Sequence, residues 1–136
     1  MELYLVAVSA PAGWLLRPPA RKGLLAGLWS WPSAGPGPVL AGAAEPSVPY
    51  RAGTGRSWPG WVQVYSHLRE TVHPLALHLA TTPATPAGLA WVAPGDLAGL
   101  PLGRRDQRLR ENLAEPSSML PWSAEDWAAA GRILGG

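Results

Sequence analysis

The apolar pattern begins with Leu3–Val8 ("LYLVAV"), an unbroken run with two valines and a tyrosine, short enough for a buried strand. "GWLLRP", which follows "SAPA", supplies its hairpin partner. From Ser33 to Gly60 no period survives among the Gly, Pro, Ala and Ser residues, which predicts mostly loop. "WVQVYSH" (Trp61–His67) alternates, with Val62 and Val64 on one side and Trp61, Gln63 and Tyr65 on the other, so it reads as a strand. "HPLALHLA" sets Leu75, Leu77 and Leu79 against His78 and predicts an antiparallel partner, with "LRET" as the turn between them. "LAWVA" (Leu89–Ala93) is a further strand. The tail then turns helical. Arg104–Glu115 ("RRDQRLRENLAE") spaces Leu109 and Leu113 four apart among charges. "SAEDWAAAGRIL" opens on Ser123 with Asp126 three residues later, a capping-box pattern, and Trp127, Ala130 and Leu134 form its stripe within a C-terminal helix over 121–136. Strands followed by helices, without an internal repeat, predict one α+β domain over residues 1–136, built on a mixed sheet.

Composition sharpens this picture in two ways. At 136 residues the chain is long enough for a true core, and 16 Gly with 16 Pro make it loop-rich. Eight tryptophans argue against disorder, because disordered segments are poor in large aromatics. Cysteine is absent, which excludes disulfides, thiolate zinc sites and cysteine-held iron–sulfur clusters. The start "MELYLVAVSAPAG" has an acid in place of a basic n-region and only a short apolar run, so a soluble, cytoplasmic protein is expected.

Charge is unevenly spread. Residues 1–69 carry Arg17, Arg21, Lys22, Arg51, Arg56 and Arg69 against Glu2 and Glu45, whereas the rest of the chain is acidic on balance. No acid stands between Leu3 and Ala44, a distribution compatible with a surface that faces phosphates.

Hydrolytic chemistry finds little to work with. Glu45 is the lone acid between Pro32 and Arg69, so no carboxylate cluster there can hold Mg²⁺. "RENLAE" (Arg110–Glu115) imitates part of the Nudix hydrolase signature, but Leu102 stands where that signature needs a glutamate and Ala114 breaks its glutamate pair. His67, His73 and His78 lack a ligand-like pattern, and the odd spacing of His73 and His78 points them to opposite faces of a strand. No glycine loop has the downstream Lys-Ser/Thr or Asp of a phosphate cradle. No catalytic residue, metal site or cofactor is expected for this chain alone.

Three segments together carry a family likeness. "WLLRPPARKGLLAGLWSWP" (Trp14–Pro32), "VQVYSHLRETVHPLALHLA" (Val62–Ala80) and "AWVAPGDLAGLPLGRRDQRLRENL" (Ala90–Leu113) resemble the C-terminal domain of MutY, the A/G-specific adenine DNA glycosylase. The first motif matches at Arg17, Pro18, Gly23, Leu24, Leu25, Ala26, Gly27, Leu28, Trp29 and Pro32. The second, an aromatic-Ser-His at a strand end, matches at Tyr65, Ser66 and His67, with tyrosine where phenylalanine is commoner. The likeness spans roughly residues 3–114 and implies a Nudix-like fold, a mixed, curved sheet with C-terminal helices, in which the hydrolase motif is lost. It also implies a domain that binds double-stranded DNA and recognises 8-oxoguanine opposite adenine in base excision repair.

The residue chemistry is compatible with that role. Guanine N7 accepts a hydrogen bond, whereas in 8-oxoguanine it donates, and a hydroxyl such as that of Ser66 can accept where Arg or Lys cannot. Tyr65 and His67 can stack or touch phosphate beside it. Arg17, Arg21 and Lys22 offer phosphate charge, while Gly23 and Gly27 let backbone amides approach closely. Leu24, Leu25, Leu28 and Trp29 read as core anchors, with Leu24 and Leu25 also carried into the DNA-facing motif. Ser33–Gly60 departs from the family by lacking the helix that follows the first motif, and the glycosylase's catalytic domain has no counterpart. The chain is therefore expected to be a stand-alone relative or a piece of a split or longer glycosylase, with a separate glycosylase chain as a further partner. Two alternatives stay open: a degenerate Nudix hydrolase using Glu70, Glu111 and Glu115, and a protein-interaction domain docking its tryptophans on that glycosylase chain.

Overall fold

The computed structural model describes residues 1–22, 26–35, 53–116 and 122–135. Its centre is β1 (Glu2–Ala10), whose run of fully enclosed residues from Leu5 to Val8 is covered on both faces. A central strand of this kind has no polar face to show, which is why the apolar run is continuous and not alternating. β6 (Leu68–His78) lies parallel to it, from Glu2 opposite Thr71 to Ser9 opposite His78.

The other edge of β1 is shared. β2 (Gly13–Leu16) pairs with Val8–Ala10, and β3 (Ser33–Ala34) pairs with Tyr4 and Leu5. The chain must leave the sheet between them. Gly13 makes the first turn possible: its φ is +123°, and a Cβ there would lie inside the Val92 carbonyl of β7 (Ala90–Val92), which pairs with β2.

β6 is long enough to serve two edge strands in succession. β5 (Trp61–Tyr65) pairs with its first half and β4 (Thr54–Ser57) with its second. Pro74 stands at the changeover, and its carbonyl accepts from Trp58 N at 3.3 Å. The N–H that proline lacks would point into the gap between the two partners, so no ladder bond is lost.

Helices close both faces. α1 (Arg104–Asn112), reached through a 3-10 turn at Pro94–Gly99, covers a core of Leu5, Ala7, Leu16, Trp31, Val72 and Leu109. α2 (Ala124–Leu134) covers the opposite core of Tyr4, Val6, Val8, Leu75, Leu77 and Leu134. The capping box forms as its sequence predicts, with Asp126 N donating to Ser123 Oγ at 3.2 Å and Ser123 N to Asp126 Oδ2 at 2.9 Å.

Two expectations are corrected. "LRET" is not a turn: Leu68–Thr71 belong to β6, and the reversal occurs at Ser66 and His67. Ser33–Gly60 is not mostly loop at its ends, since β3 and β4 lie there, while residues 36–52 fall outside the described residues. β4 ("TGRS") escapes a pattern search because it holds no apolar residue; Gly55 admits the Trp122 indole against its backbone instead.

Candidate nucleic-acid interface

The reversal between β5 and β6 is a two-residue turn. Tyr65 and Leu68 form the last pair, leaving Ser66 and His67 at the tip, both exposed. Neither has a positive φ, so the turn is not of the primed types that favour glycine in tight hairpins. Behind the tip the strand keeps its alternation: Trp61 is buried, whereas Val62 and Val64 are 56% and 59% exposed. Tyr65 shares the Trp61 side and is half-buried.

The second segment is the excursion between β2 and β3. It is closed at its base by Arg17 and Ser30, which exchange backbone hydrogen bonds of 2.8 and 3.2 Å. Further out, Gly27 N donates to the Ala20 carbonyl at 3.2 Å. Arg17, Arg21 and Lys22 all project into solvent. Gly27 has φ +79° with open space where a Cβ would stand, so the glycine serves the turn and not a close approach. Leu28 and Trp29 are half-buried, and Trp29 alone of the two packs against the α1-side core. Gly23, Leu24 and Leu25 lie outside the described residues.

The start of α1 connects the two segments. Trp29 N donates to the Pro101 carbonyl at 2.8 Å, just ahead of the helix. Trp31 then hydrogen-bonds Asp106 twice, backbone N to Oδ1 at 3.0 Å and indole Nε1 to the carbonyl at 2.9 Å. The neighbouring Arg105 reaches the other way, with Nη1 at 3.6 Å from Glu70 Oε1 and Nη2 at 3.8 Å from Asp106 Oδ1. Glu70 sits two residues along β6 from Leu68, beside Tyr65. One turn further along α1, Arg108 lies over the Trp61 ring at 4.4 Å.

Burial sets the electrostatics here. Desolvation pushes the Tyr65 hydroxyl above its ordinary pKa, with the Arg105 charge opposing and the Glu70 carboxylate, to which the phenol hydrogen-bonds, reinforcing. Desolvation likewise raises Asp106 above 3.8, against the pull of Arg105 and the Trp31 N–H. Sequence reasoning misses Asp106, and names Glu70 only as a candidate carboxylate of a hydrolase, not as the partner of Arg105. The available signal was the spacing of Asp106, Leu109 and Leu113, which puts an acid on the apolar stripe of α1.

The histidines separate, as their spacing predicts. His73 stacks on Tyr4 with ring centroids 4.5 Å apart, and His78 Nδ1 meets Ser9 Oγ at 2.9 Å. Among the described residues no group of three or more His, Cys, Asp or Glu is gathered closely enough to hold a metal ion, and Glu70 is committed to Arg105. No helix among them is long and apolar enough to cross a membrane.

No family model matches the chain, and no curated protein matches it. Solved structures do. The C-terminal domain of mouse MUTYH, in complex with human PCNA, aligns at a TM-score of 0.57 with 17% identity, over 88% of this chain and 93% of that one. The NUDIX domain of Shewanella oneidensis NrtR, complexed with ADP ribose, aligns at 0.57 with 12% identity, over 85% and 86%. The Nudix hydrolase RenU of M. smegmatis aligns at 0.54 with 20% identity, over 87% and 89%. The chain thus has a Nudix-like fold with a mixed sheet, seven-stranded among the described residues, and C-terminal helices.

Proposed function

We propose that this chain is a DNA-recognition module that senses 8-oxoguanine opposite adenine and acts without chemistry of its own. The observation that carries this is the exposed Ser66–His67 turn, joined through the first turn of α1 to an excursion bearing three exposed cations. In this reading Ser66 Oγ accepts the N7 proton that only the oxidised base presents. Tyr65 and His67 flank it, and Arg17, Arg21 and Lys22 hold the phosphates, with Gly23, Leu24, Leu25 and Gly27 completing the excursion. The fold it shares with the MUTYH C-terminal domain supports the role. That neighbour is bound to PCNA, and a protein partner here, a separate glycosylase chain first, belongs to the same proposal.

Titration of the purified chain against two duplexes differing only at the oxidised guanine, at several salt concentrations, tests it. Tighter binding of the lesion duplex at every salt is expected; equal affinities remove the sensing role.

The second reading, a divergent Nudix hydrolase acting on nucleotides, is favoured by neighbours of similar score, including RenU and the ADP-ribose-bound domain. Mg²⁺-dependent phosphate release from an oxidised nucleoside triphosphate, under conditions where the chain ignores DNA, would establish it instead.

A further inference from the structure

The three charged residues at the start of α1 and on β6 are more deeply enclosed than a solvated face requires. The side chains of Glu70, Arg105 and Asp106 are 9%, 14% and 2% exposed. Buried ionic groups are a poor source of stability, because apolar residues of the same volume often do as well or better. Their arrangement is directional. Arg105 turns both terminal nitrogens to carboxylates, one on each side, while its buried Nε has no partner among the described residues. Beyond Glu70 stands Tyr65, the residue before the exposed serine. Beyond Asp106 stands Trp31, two residues after Trp29 and the end of the cationic excursion.

We infer that Glu70, Arg105 and Asp106 form a positioning relay that fixes the hairpin tip and the Arg17–Ser30 base of the cationic excursion relative to each other. The inference rests on the reading of the tip as the place where the lesion is read, and adds to it a device that makes base reading and phosphate holding one rigid unit. Neither Glu70 nor Arg105 touches DNA in this scheme; each acts through Tyr65 or Trp31. A direct hydrogen bond discriminates two bases only when the group that makes it is held to within a fraction of an ångström, so loosening the relay weakens discrimination before it weakens general binding.

The test uses the full chain and three variants. Glu70→Gln keeps the shape and removes the charge, Tyr65→Phe removes a single hydroxyl, and Ser123→Ala weakens the fold at the distant α2 cap as a purely structural control. Anisotropy titrations give the ratio of lesion to undamaged affinity. Glu70→Gln is expected to lower that ratio about five- to tenfold with undamaged-duplex affinity changed less than about twofold, and Tyr65→Phe to lower the ratio about two- to fivefold. Adding Glu70→Gln to Ser66→Ala takes the ratio no lower than Ser66→Ala alone does, and Ser123→Ala leaves the ratio alone. Amide hydrogen exchange without DNA gives an independent readout: Glu70→Gln speeds exchange at Ser66 and His67 and also at Trp29 and Ser30 across the relay. Faster exchange at the tip alone, or an unchanged ratio in a chain that does discriminate, overturns the relay. A wild-type chain that fails to discriminate overturns the functional reading instead, and exchange at the two segments still decides the relay.

Discussion

Ser66 is exposed because it sits in the two-residue reversal between β5 and β6, which neither core covers. Replacing it with alanine removes an acceptor and little else. Ser66→Ala is expected to cost about 1–3 kcal/mol of lesion preference while leaving general affinity nearly intact, which paired titrations would read. Arg105 differs, because its loss strands two buried carboxylates. Arg105→Met is expected to destabilise the fold by roughly 3–5 kcal/mol, seen as a lower denaturation midpoint. Asp106 carries a pH signature. Its folded pKa is raised above 3.8 by burial, so the stabilisation it gives is fully present below that value and is lost as pH rises through the raised pKa. Asp106→Asn should therefore flatten the stability profile across that window; a profile identical to wild type would place the titration elsewhere. At this scale the sequence supplied Tyr65, Ser66 and His67 by motif, and the cations by charge. It hid Asp106 and the pairing of Glu70 with Arg105, since a charged residue looks solvated until its element is packed.

Among the elements, legibility followed local signal. β1, β2, β5 and both helices announce themselves through apolar period and caps, and α2 begins where Ser123 and Asp126 say it should. The turn at Ser66–His67 carries no glycine, asparagine or proline, so the eye moves on to "LRET", whose charges look like a loop but belong to a strand that changes partners at Pro74. β4 has no apolar residue and is held by backbone pairing and by Trp122, whose Nε1 donates to the Arg56 carbonyl at 3.0 Å. The dependence of β4 on that indole gives a prediction. Gly55→Val would meet the Trp122 ring at less than ordinary van der Waals distance and is expected to undock α2 from the β4 edge, visible as a loss of near-ultraviolet tryptophan dichroism. Retained dichroism would mean the indole packs elsewhere.

As a whole molecule, the described residues form one sheet with a core on each face, and the candidate interface lies at one end of it. α1 covers one face, and its first turn stands between the cationic excursion and the hairpin tip. General affinity and lesion preference should then be separable. Reversing Arg21 and Lys22 is expected to weaken binding to lesion and undamaged duplexes alike. It should also reduce the slope of log affinity against log salt by about one for each phosphate left without its cation. The fold class was readable in advance from strands followed by helices. What escaped was the linkage of two distant motifs by a buried ion relay, because linkage belongs to the packing and not to any stretch of sequence.

A lone hydroxyl at the hairpin tip, in the end, has to tell a donor from an acceptor on the edge of a purine. The most direct test is the ratio of lesion to undamaged duplex affinity, measured side by side for the wild-type chain and Ser66→Ala at one salt concentration. A ratio well above one that collapses toward one in the variant is the predicted result. A ratio of one in both proteins, or a high ratio that the substitution leaves untouched, contradicts it.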